Sequence, residues 1–299
     1  MKIAITGALG FVGSNLSFFL TERGHDVIGI GRRMPARPIP SKNYTFVKGD
    51  TTMEGEWRKM AAEADGIVNL AGRTIFNIWT KSYKEEIYNS RIQTTKRIVE
   101  ALEDGKEKVV VSASAVGIYG NRGDDLLTEK EPVGDSFLAA VSRDWENEAY
   151  KAREKGARVA TVRFGVVLGR NGGAMEKMIP AFKLGLGGPI GGGNHYFPWI
   201  HIADLMKGIA FILENREAEG PFNFTGPNTV RQKDFTKALA AELSRPAFLP
   251  APKFMMKTVL GEFGEALMES QKAIPEKLLD MGFSFDYDTL QKALREIVH

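Results

Sequence analysis

Short apolar runs alternate with longer stretches of helical periodicity, and the alternation begins at the second residue. The runs are Lys2–Thr6, Asp26–Ile30, Tyr44–Val47, Gly66–Leu70, Lys108–Val111 and Arg158–Arg163. Within them apolar residues are continuous rather than every second one, as in strands buried on both faces. Helical spacing covers about Phe11–Arg23, Gly55–Glu63, Thr80–Glu103 and Phe137–Lys155. This order predicts an α/β fold, a parallel sheet with helices on both faces.

The pattern changes after about residue 165. Residues 171–200 are glycine-rich and include GLGGPIGGGN at 185–194. A helix at about His201–Glu214 and a strand at Pro221–Thr225 follow, and the tail from Pro246 holds clustered prolines and two or three helices, ending with Thr289–Val298. The simplest division is a nucleotide-binding lobe, 1–165, and a smaller lobe, 166–299, with about 200–225 free to return to the first. The 185–194 glycines suit a mobile lid over a ligand, or a flexible connector.

Composition narrows the class. A chain of 299 residues with 43% hydrophobic and 26% charged content reads as an ordinary globular protein. No run reaches membrane-spanning length, and MKIAITG enters a strand directly, without a signal-peptide pattern. The absence of cysteine excludes disulfides and thiolate chemistry and fits a reducing, cytoplasmic setting. Four histidines, none in ligand spacing, argue against a metal site. A net charge of +3 does not call for nucleic acid.

The first strand opens into TGALGFVG, where Gly7, Gly10 and Gly13 form a G-x-x-G-x-x-G pattern and Phe11 and Val12 begin a helix. Glycines there allow a tight turn and bring a pyrophosphate onto backbone N–H groups at the helix start. The second strand ends in Gly31-Arg32-Arg33. An NAD site wants an acidic residue near this point, for the ribose hydroxyls. Two guanidinium groups suit a 2′-phosphate instead, so the expected cofactor is NADP(H).

Several further segments point the same way. Gly49-Asp50-Thr51, Asn69-Leu70-Ala71-Gly72, SASAVGIYG at 112–120, Arg163-Phe164-Gly165-Val166 and WIHIAD at 199–204 join the glycine loop. Together they resemble the extended short-chain dehydrogenase/reductase superfamily. With FLAAVSRDWENEA at 137–149, WIHIADL at 199–205 and the tail from Ala251 to Leu294, the chain is similar to the bacterial epimerase family proteins. The resemblance implies a Rossmann-type doubly wound sheet and a smaller C-terminal α/β substrate lobe with a family-specific segment at 249–297. It places Asp50 and Thr51 by the adenine, and Leu70, Ala71 and Gly72 beneath the cofactor. It also sets Ser112, Phe164, Gly165, Val166 and Arg91 beside it.

That superfamily works through Tyr-x-x-x-Lys on a helix. Here Ala140 and Asp144 fall at the two positions. The one literal match, Tyr44–Lys48, lies in a strand-like segment, where four residues span about 13 Å. What remains is Ser114, at the superfamily's serine position, and Tyr119. With no cation nearby, Tyr119 is expected to keep a pKa near 10. It would then act protonated, giving its proton to a substrate oxygen that Ser114 helps to bind. The alternative is that both hydroxyls satisfy backbone groups at a strand end. His195 and His201 are other candidate proton carriers, His201 reading as structural. Lys81, Lys84, Lys96 and Arg97 read as a solvated face. Trp145 reads as core or a dimer contact, which leaves a homodimer open. The leading function is an NADP(H)-dependent oxidoreductase or epimerase-like enzyme acting on a small polar substrate such as a sugar derivative. The alternative is a non-catalytic NADPH-binding sensor or scaffold.

Overall fold

The computed structural model describes residues 1–299. The chain rises as β1 (Lys2–Thr6), returns as α1 (Phe11–Glu22), and adds β2 (Asp26–Gly31) and β3 (Tyr44–Lys48) outward on one side. After α2 (Trp57–Ala62) it crosses to the other side of β1 as β4 (Gly66–Asn69). α3 (Lys81–Ala101), β5 (Val109–Ala115), β6 (Leu126–Leu127), α4 (Phe137–Tyr150) and β7 (Arg158–Phe164) follow. β8 (Val166–Leu168), α5 (Gly173–Lys183), β9 (Tyr196–Phe197) and β10 (Trp199–His201) leave the main sheet; α6 (Ile202–Glu214) and β11 (Gly220–Phe224) return to it. The result is a seven-stranded parallel sheet in the order β11-β7-β5-β4-β1-β2-β3. This is a Rossmann-type doubly wound fold.

The continuous apolar strands are explained by the two faces. Ile3, Ile5, Val109 and Val111 pack against Leu16 and Leu20 of α1 and Ile209 and Leu213 of α6. Ala4, Ile67, Val110 and Val159 face Trp57 of α2, Ile98 of α3 and Ala149 of α4. Neighbouring residues on one strand therefore feed opposite cores, which keeps these positions apolar.

A separate apolar core forms among the residues beyond the main sheet. It gathers Met175 and Phe182 of α5, Trp199, and residues from α7 (Gln232–Glu242), which follows β12 (Val230–Arg231). After α8 (Lys253–Leu260), α9 (Glu262–Ala266), β13 (Lys272–Ala273) and α10 (Glu276–Asp280), the chain ends in α11 (Leu290–Val298). α11 buries Leu290, Ala293, Leu294 and Ile297 on one face. β13 pairs with β6 in a separate two-stranded sheet, so the tail is stitched back to the segment that follows β5. The Asp204 carboxylate reinforces this by accepting from the backbone N–H groups of Asp286 (2.8 Å) and Tyr287 (2.9 Å). No helix is long and apolar enough to cross a membrane.

Three expectations need adjustment. β5 runs through both serines to Ala115 rather than stopping at Val111. α4 gives way after Tyr150 to a 3-10 turn, Lys151–Lys155. A helix, α5, lies inside the stretch read only as glycine-rich.

The 185–194 glycines are explained by geometry. Gly191, Gly192 and Gly193 all have positive φ (59°, 89° and 69°), where glycine avoids the Cβ clash. A Cβ on Gly188 would lie 1.7 Å from the Leu249 carbonyl oxygen. The segment is bonded as well: Gly191 N–H donates to Ala251 O (2.8 Å), Ala251 N–H to Pro189 O (3.0 Å), and Ile190 N–H to the Gln232 side chain (3.0 Å). The lid reading gives way to a pinned left-handed turn. Hydrogen exchange of the ligand-free protein is expected to show protected amides at Ile190, Gly191 and Ala251. Exchange at unprotected rates there would restore the lid.

Candidate functional site

Ligands of open α/β sheets collect above the carboxyl ends of the strands, where the strand order reverses. Here that point lies between β1 and β4. The end of β1 carries the glycine loop. Gly7 has φ +70°, and a Cβ on it would lie 2.9 Å from the Leu70 carbonyl oxygen. Gly7 therefore lets the loop press against Leu70-Ala71 at the end of β4. A Cβ on Gly13 would lie 2.2 Å from the Gly7 carbonyl oxygen, so Gly13, which is buried, shapes the turn from below. Gly10 is exposed and caps α1 with no side-chain bond, and the first turn carries no acidic residue. The leading N–H groups of α1, at Phe11 and Val12, stay open to an anion. The Phe11 ring itself packs into a second glycine cradle: a Cβ on Gly172 would come within 2.2 Å of it.

Arg32 and Arg33 lie exposed just past β2, with no hydrogen bond or ion pair to the protein. Asp50 Oδ1 accepts from Thr52 N–H (3.0 Å), while Thr51 is buried and its hydroxyl pairs with Thr94 (3.0 Å). Leu70 and Ala71 are half-buried and Gly72 is exposed. The Gly165 N–H donates to Phe224 O and the Val166 N–H to Pro198 O, so the Phe164–Val166 backbone is largely committed to the sheet.

Beneath the glycine loop runs a sealed polar chain. Thr6 Oγ1 donates to Asn69 Oδ1 (2.8 Å), and Asn69 Nδ2 donates to Thr95 Oγ1 (2.8 Å) and Ser112 Oγ (3.3 Å). Trp145 Nε1 donates to Thr95 Oγ1 (2.9 Å), which makes Trp145 a core residue here. Ser112 is fully buried in this chain. Its expected contact with the cofactor is corrected: the hydroxyl supports Asn69 from below instead.

The catalytic expectation for Ser114 and Tyr119 also fails on geometry. Ser114 is 3% exposed and donates to Glu146 Oε1 (2.7 Å). Tyr119 is 0% exposed, sits among Val116, Ile118, Leu127 and Ala273, and donates to Asn223 Oδ1 (2.7 Å). A cation does lie beside it: Arg163 Nη1 donates to the Tyr119 oxygen (2.8 Å). Burial outweighs that cation and pushes the phenol pKa up to about 12. Arg163 forms a two-point pair with Glu146, Nε to Oε1 at 2.8 Å and Nη2 to Oε2 at 2.9 Å. Burial alone would lower the Arg163 pKa; the Glu146 carboxylate reverses this and raises it. Asn223 extends the network through Nδ2 to Ile274 O (2.9 Å) and from its N–H to Glu129 Oε1 (2.9 Å). The two hydroxyls thus belong to a buried clamp that ties β5, α4 and β7 to β11 and the C-terminal tail.

The other candidates resolve similarly. Ala140 and Asp144 do occupy α4, and Asp144 accepts from Tyr88 OH (3.1 Å) and pairs with Arg143 (2.9 Å). Tyr44–Lys48 is strand β3. His201 caps α6 and meets Glu296 (3.0 Å). The His195 Nε2 is buried without a partner, and burial with the nearby Lys253 lowers that imidazole's pKa. Arg91 donates to Arg73 O (3.0 Å) beside Gly72. The sequence reading missed Glu146, Glu129 and Asn223. Glu146 was visible inside DWENEA, but nothing in the spacing paired it with Arg163.

Tyr119→Phe keeps the ring but strands Asn223 Oδ1 and one Arg163 N–H, an expected loss of about 1–2 kcal/mol in urea unfolding. The phenol stays protonated longer in the fold than the ordinary value of 10.0 allows. Its stabilisation is complete below pH 10 and lost as pH rises toward 12. The variant should lack that part of the alkaline loss. Identical alkaline limbs would contradict the buried-phenol assignment.

Comparison with known proteins agrees with this geometry. Residues 3–230 match the NAD dependent epimerase/dehydratase family, and residues 251–297 match a domain of unknown function (DUF1731). The chain is 38% identical over 304 residues to the Arabidopsis thaliana epimerase family protein SDR39U1 homolog, chloroplastic, covering 100% of this chain and 87% of that one. It is 37% identical over 301 residues to the Bacillus subtilis epimerase family protein YfhF, covering 100% and 98%. Among solved structures it resembles human epimerase family protein SDR39U1 (isoform2) with NADPH, at TM-score 0.86 and 32% identity over 100% and 99% of the two chains. MoeE5 in complex with UDP-glucuronic acid and NAD shares the fold, at TM-score 0.80 and 20% identity, covering 100% and 98%. A family match over most of the chain and relatives alike along most of their length lead to one conclusion: the chain belongs to the NAD dependent epimerase/dehydratase family.

Proposed function

We propose that the protein is an NADP(H)-dependent oxidoreductase or epimerase-like enzyme acting on a small polar substrate, with a proton donor other than Tyr119. The observation that carries this is the Arg32–Arg33 pair past β2, exposed and free of any protein carboxylate. The residues fit the cofactor. The open N–H groups of Phe11 and Val12 suit a pyrophosphate, and Gly7 and Gly13 keep the approach clear. The family resemblance assigns Asp50 and the Thr51 backbone to the adenine, Leu70–Gly72 to the nicotinamide half and Phe164–Val166 to its side, and all of these lie near the ends of the central strands or just past them. Bound there, NADP(H) supplies or accepts a hydride. The human relative bearing NADPH supports the choice of phosphate-bearing cofactor.

A second reading, a cofactor-binding sensor, is favoured by one observation: both hydroxyls past the middle of β5 are spent on the Glu146–Arg163 clamp. NADPH oxidation measured against a panel of carbonyl compounds and nucleotide sugars separates the two. Turnover that survives Tyr119→Phe supports the enzyme proposed here. Turnover abolished in a folded Tyr119→Phe protein would return the proton to Tyr119. Tight NADPH binding without turnover of any panel member favours the sensor.

A further inference from the structure

Arg91 is a partly buried cation without a counter-ion. It projects from α3 and stacks over the Trp145 ring, 5.2 Å from its centre. One nitrogen, Nη1, donates to Ile87 O (2.9 Å) and Arg73 O (3.0 Å). The Nε and Nη2 groups have no protein partner, and neither is sealed from solvent. A Cβ on Gly72 would lie 3.1 Å from the guanidinium carbon, so glycine there leaves Arg91 its place at the mouth of β4.

Other buried arginines in this chain are compensated. Arg163 holds the Glu146 carboxylate. Arg158 donates to the carbonyls of Ile212, Leu213 and Ala218 around the end of α6, where the helix dipole is negative. Arg91 has only two carbonyls on a single nitrogen, and burial lowers its pKa to about 10. Removing a charge from water without a partner is costly, so buried charges are normally paired, and here the protein supplies no pairing carboxylate.

We propose that Arg91 receives an anionic group of the substrate, a carboxylate or a phosphate, at the edge between Gly72 and Trp145. The proposal rests on the NADP(H) reading of the cleft. That reading already gives the cofactor's anions their partners, the pyrophosphate at the start of α1 and the 2′-phosphate at Arg32 and Arg33. The arginine pair follows β2, on the opposite side of β1 from β4. β2 and β4 are two strand spacings apart, about 10 Å. Trp145 belongs to α4, which packs on β5 and β7, so Arg91 faces the half of the cleft away from that pair. Its free Nε–H and Nη2–H form the planar fork that binds carboxylate or phosphate in two-point fashion.

The test compares the unaltered protein with Arg91→Met and Arg91→Lys. NADPH affinity is measured first, by calorimetry. Absent binding to the unaltered protein defeats the cofactor reading itself, and the anion titrations are then read on the ligand-free protein. Otherwise each protein is saturated with NADPH and titrated at fixed ionic strength with inorganic phosphate or with malonate, following thermal unfolding. Because Arg91 borders the cofactor's place, NADPH affinity is allowed to fall, and the expected result is a loss of less than about tenfold in both variants. Anion stabilisation should be present in the unaltered protein, reduced in Arg91→Lys and lost in Arg91→Met. Response to malonate alone assigns a carboxylate, and to phosphate alone a phosphate. A tenfold or greater loss of NADPH affinity in both folded variants would assign Arg91 to the cofactor and overturn the proposal. Equal anion responses, or none, in all three would also overturn it.

Discussion

Replacing Glu146 by alanine is expected to cost about 3–5 kcal/mol of stability, the usual penalty for stranding a buried charge. The carboxylate is the sole anionic partner of Arg163, and both residues are almost fully buried, at 5% and 6% exposure. It also accepts from Ser114. Its removal leaves two Arg163 nitrogens and one hydroxyl unpaired inside the fold. The loss should appear as a lower urea midpoint with a nearly unchanged slope, since the surface exposed on unfolding stays the same. Glu146→Gln, which keeps the shape and one acceptor, should lose less. A penalty below about 1 kcal/mol in Glu146→Ala would mean that water reaches Arg163 and that the clamp is not sealed.

The second large effect concerns recognition. Changing Arg32 and Arg33 together to alanine should remove about 2–3 kcal/mol of NADPH affinity, the scale of charge-assisted hydrogen bonds to a phosphate. NADH affinity should hardly move, because the lost groups address only the 2′-phosphate. Stability should hold too, since both side chains are exposed and neither makes a hydrogen bond or ion pair to the protein. Calorimetry with both cofactors reads the two effects separately. Parallel losses for NADPH and NADH would place the pair on a part of the cofactor common to both.

The sheet was legible because its signal is local. The runs that form β1 to β5 and β7 are largely apolar, whereas the two-residue β6 left no run of its own, and each glycine of the loop stands at a fixed distance from the end of β1. The parallel order then follows from the alternation with helices. What escaped was chemistry that depends on partners distant in sequence. SASAVGIYG looks like the rim of an active site, yet its serines and tyrosine point inward. Ser112 meets Asn69, Ser114 meets Glu146 and Tyr119 meets Asn223, 104 positions away. α4 carries no lysine, Asp144 standing at that position, but its absence from the helix did not mean that the tyrosine lacked a cation. Arg163 supplies one from the neighbouring strand β7. The glycines at 185–194 misled for a related reason. Composition alone cannot separate freedom from a required positive φ, and Leu249 and Ala251, which demand the close approach, lie in a different segment.

At the centre of the account is a dinucleotide lying across the ends of β1 and β4 with its extra phosphate on Arg32 and Arg33. Calorimetric titration of the unaltered protein with NADPH and with NADH, under identical buffer and salt, tests this most directly. NADPH is expected to bind about 30- to 150-fold more tightly, the ratio that corresponds to about 2–3 kcal/mol. Equal affinities for the two cofactors, or tighter binding of NADH, would contradict it.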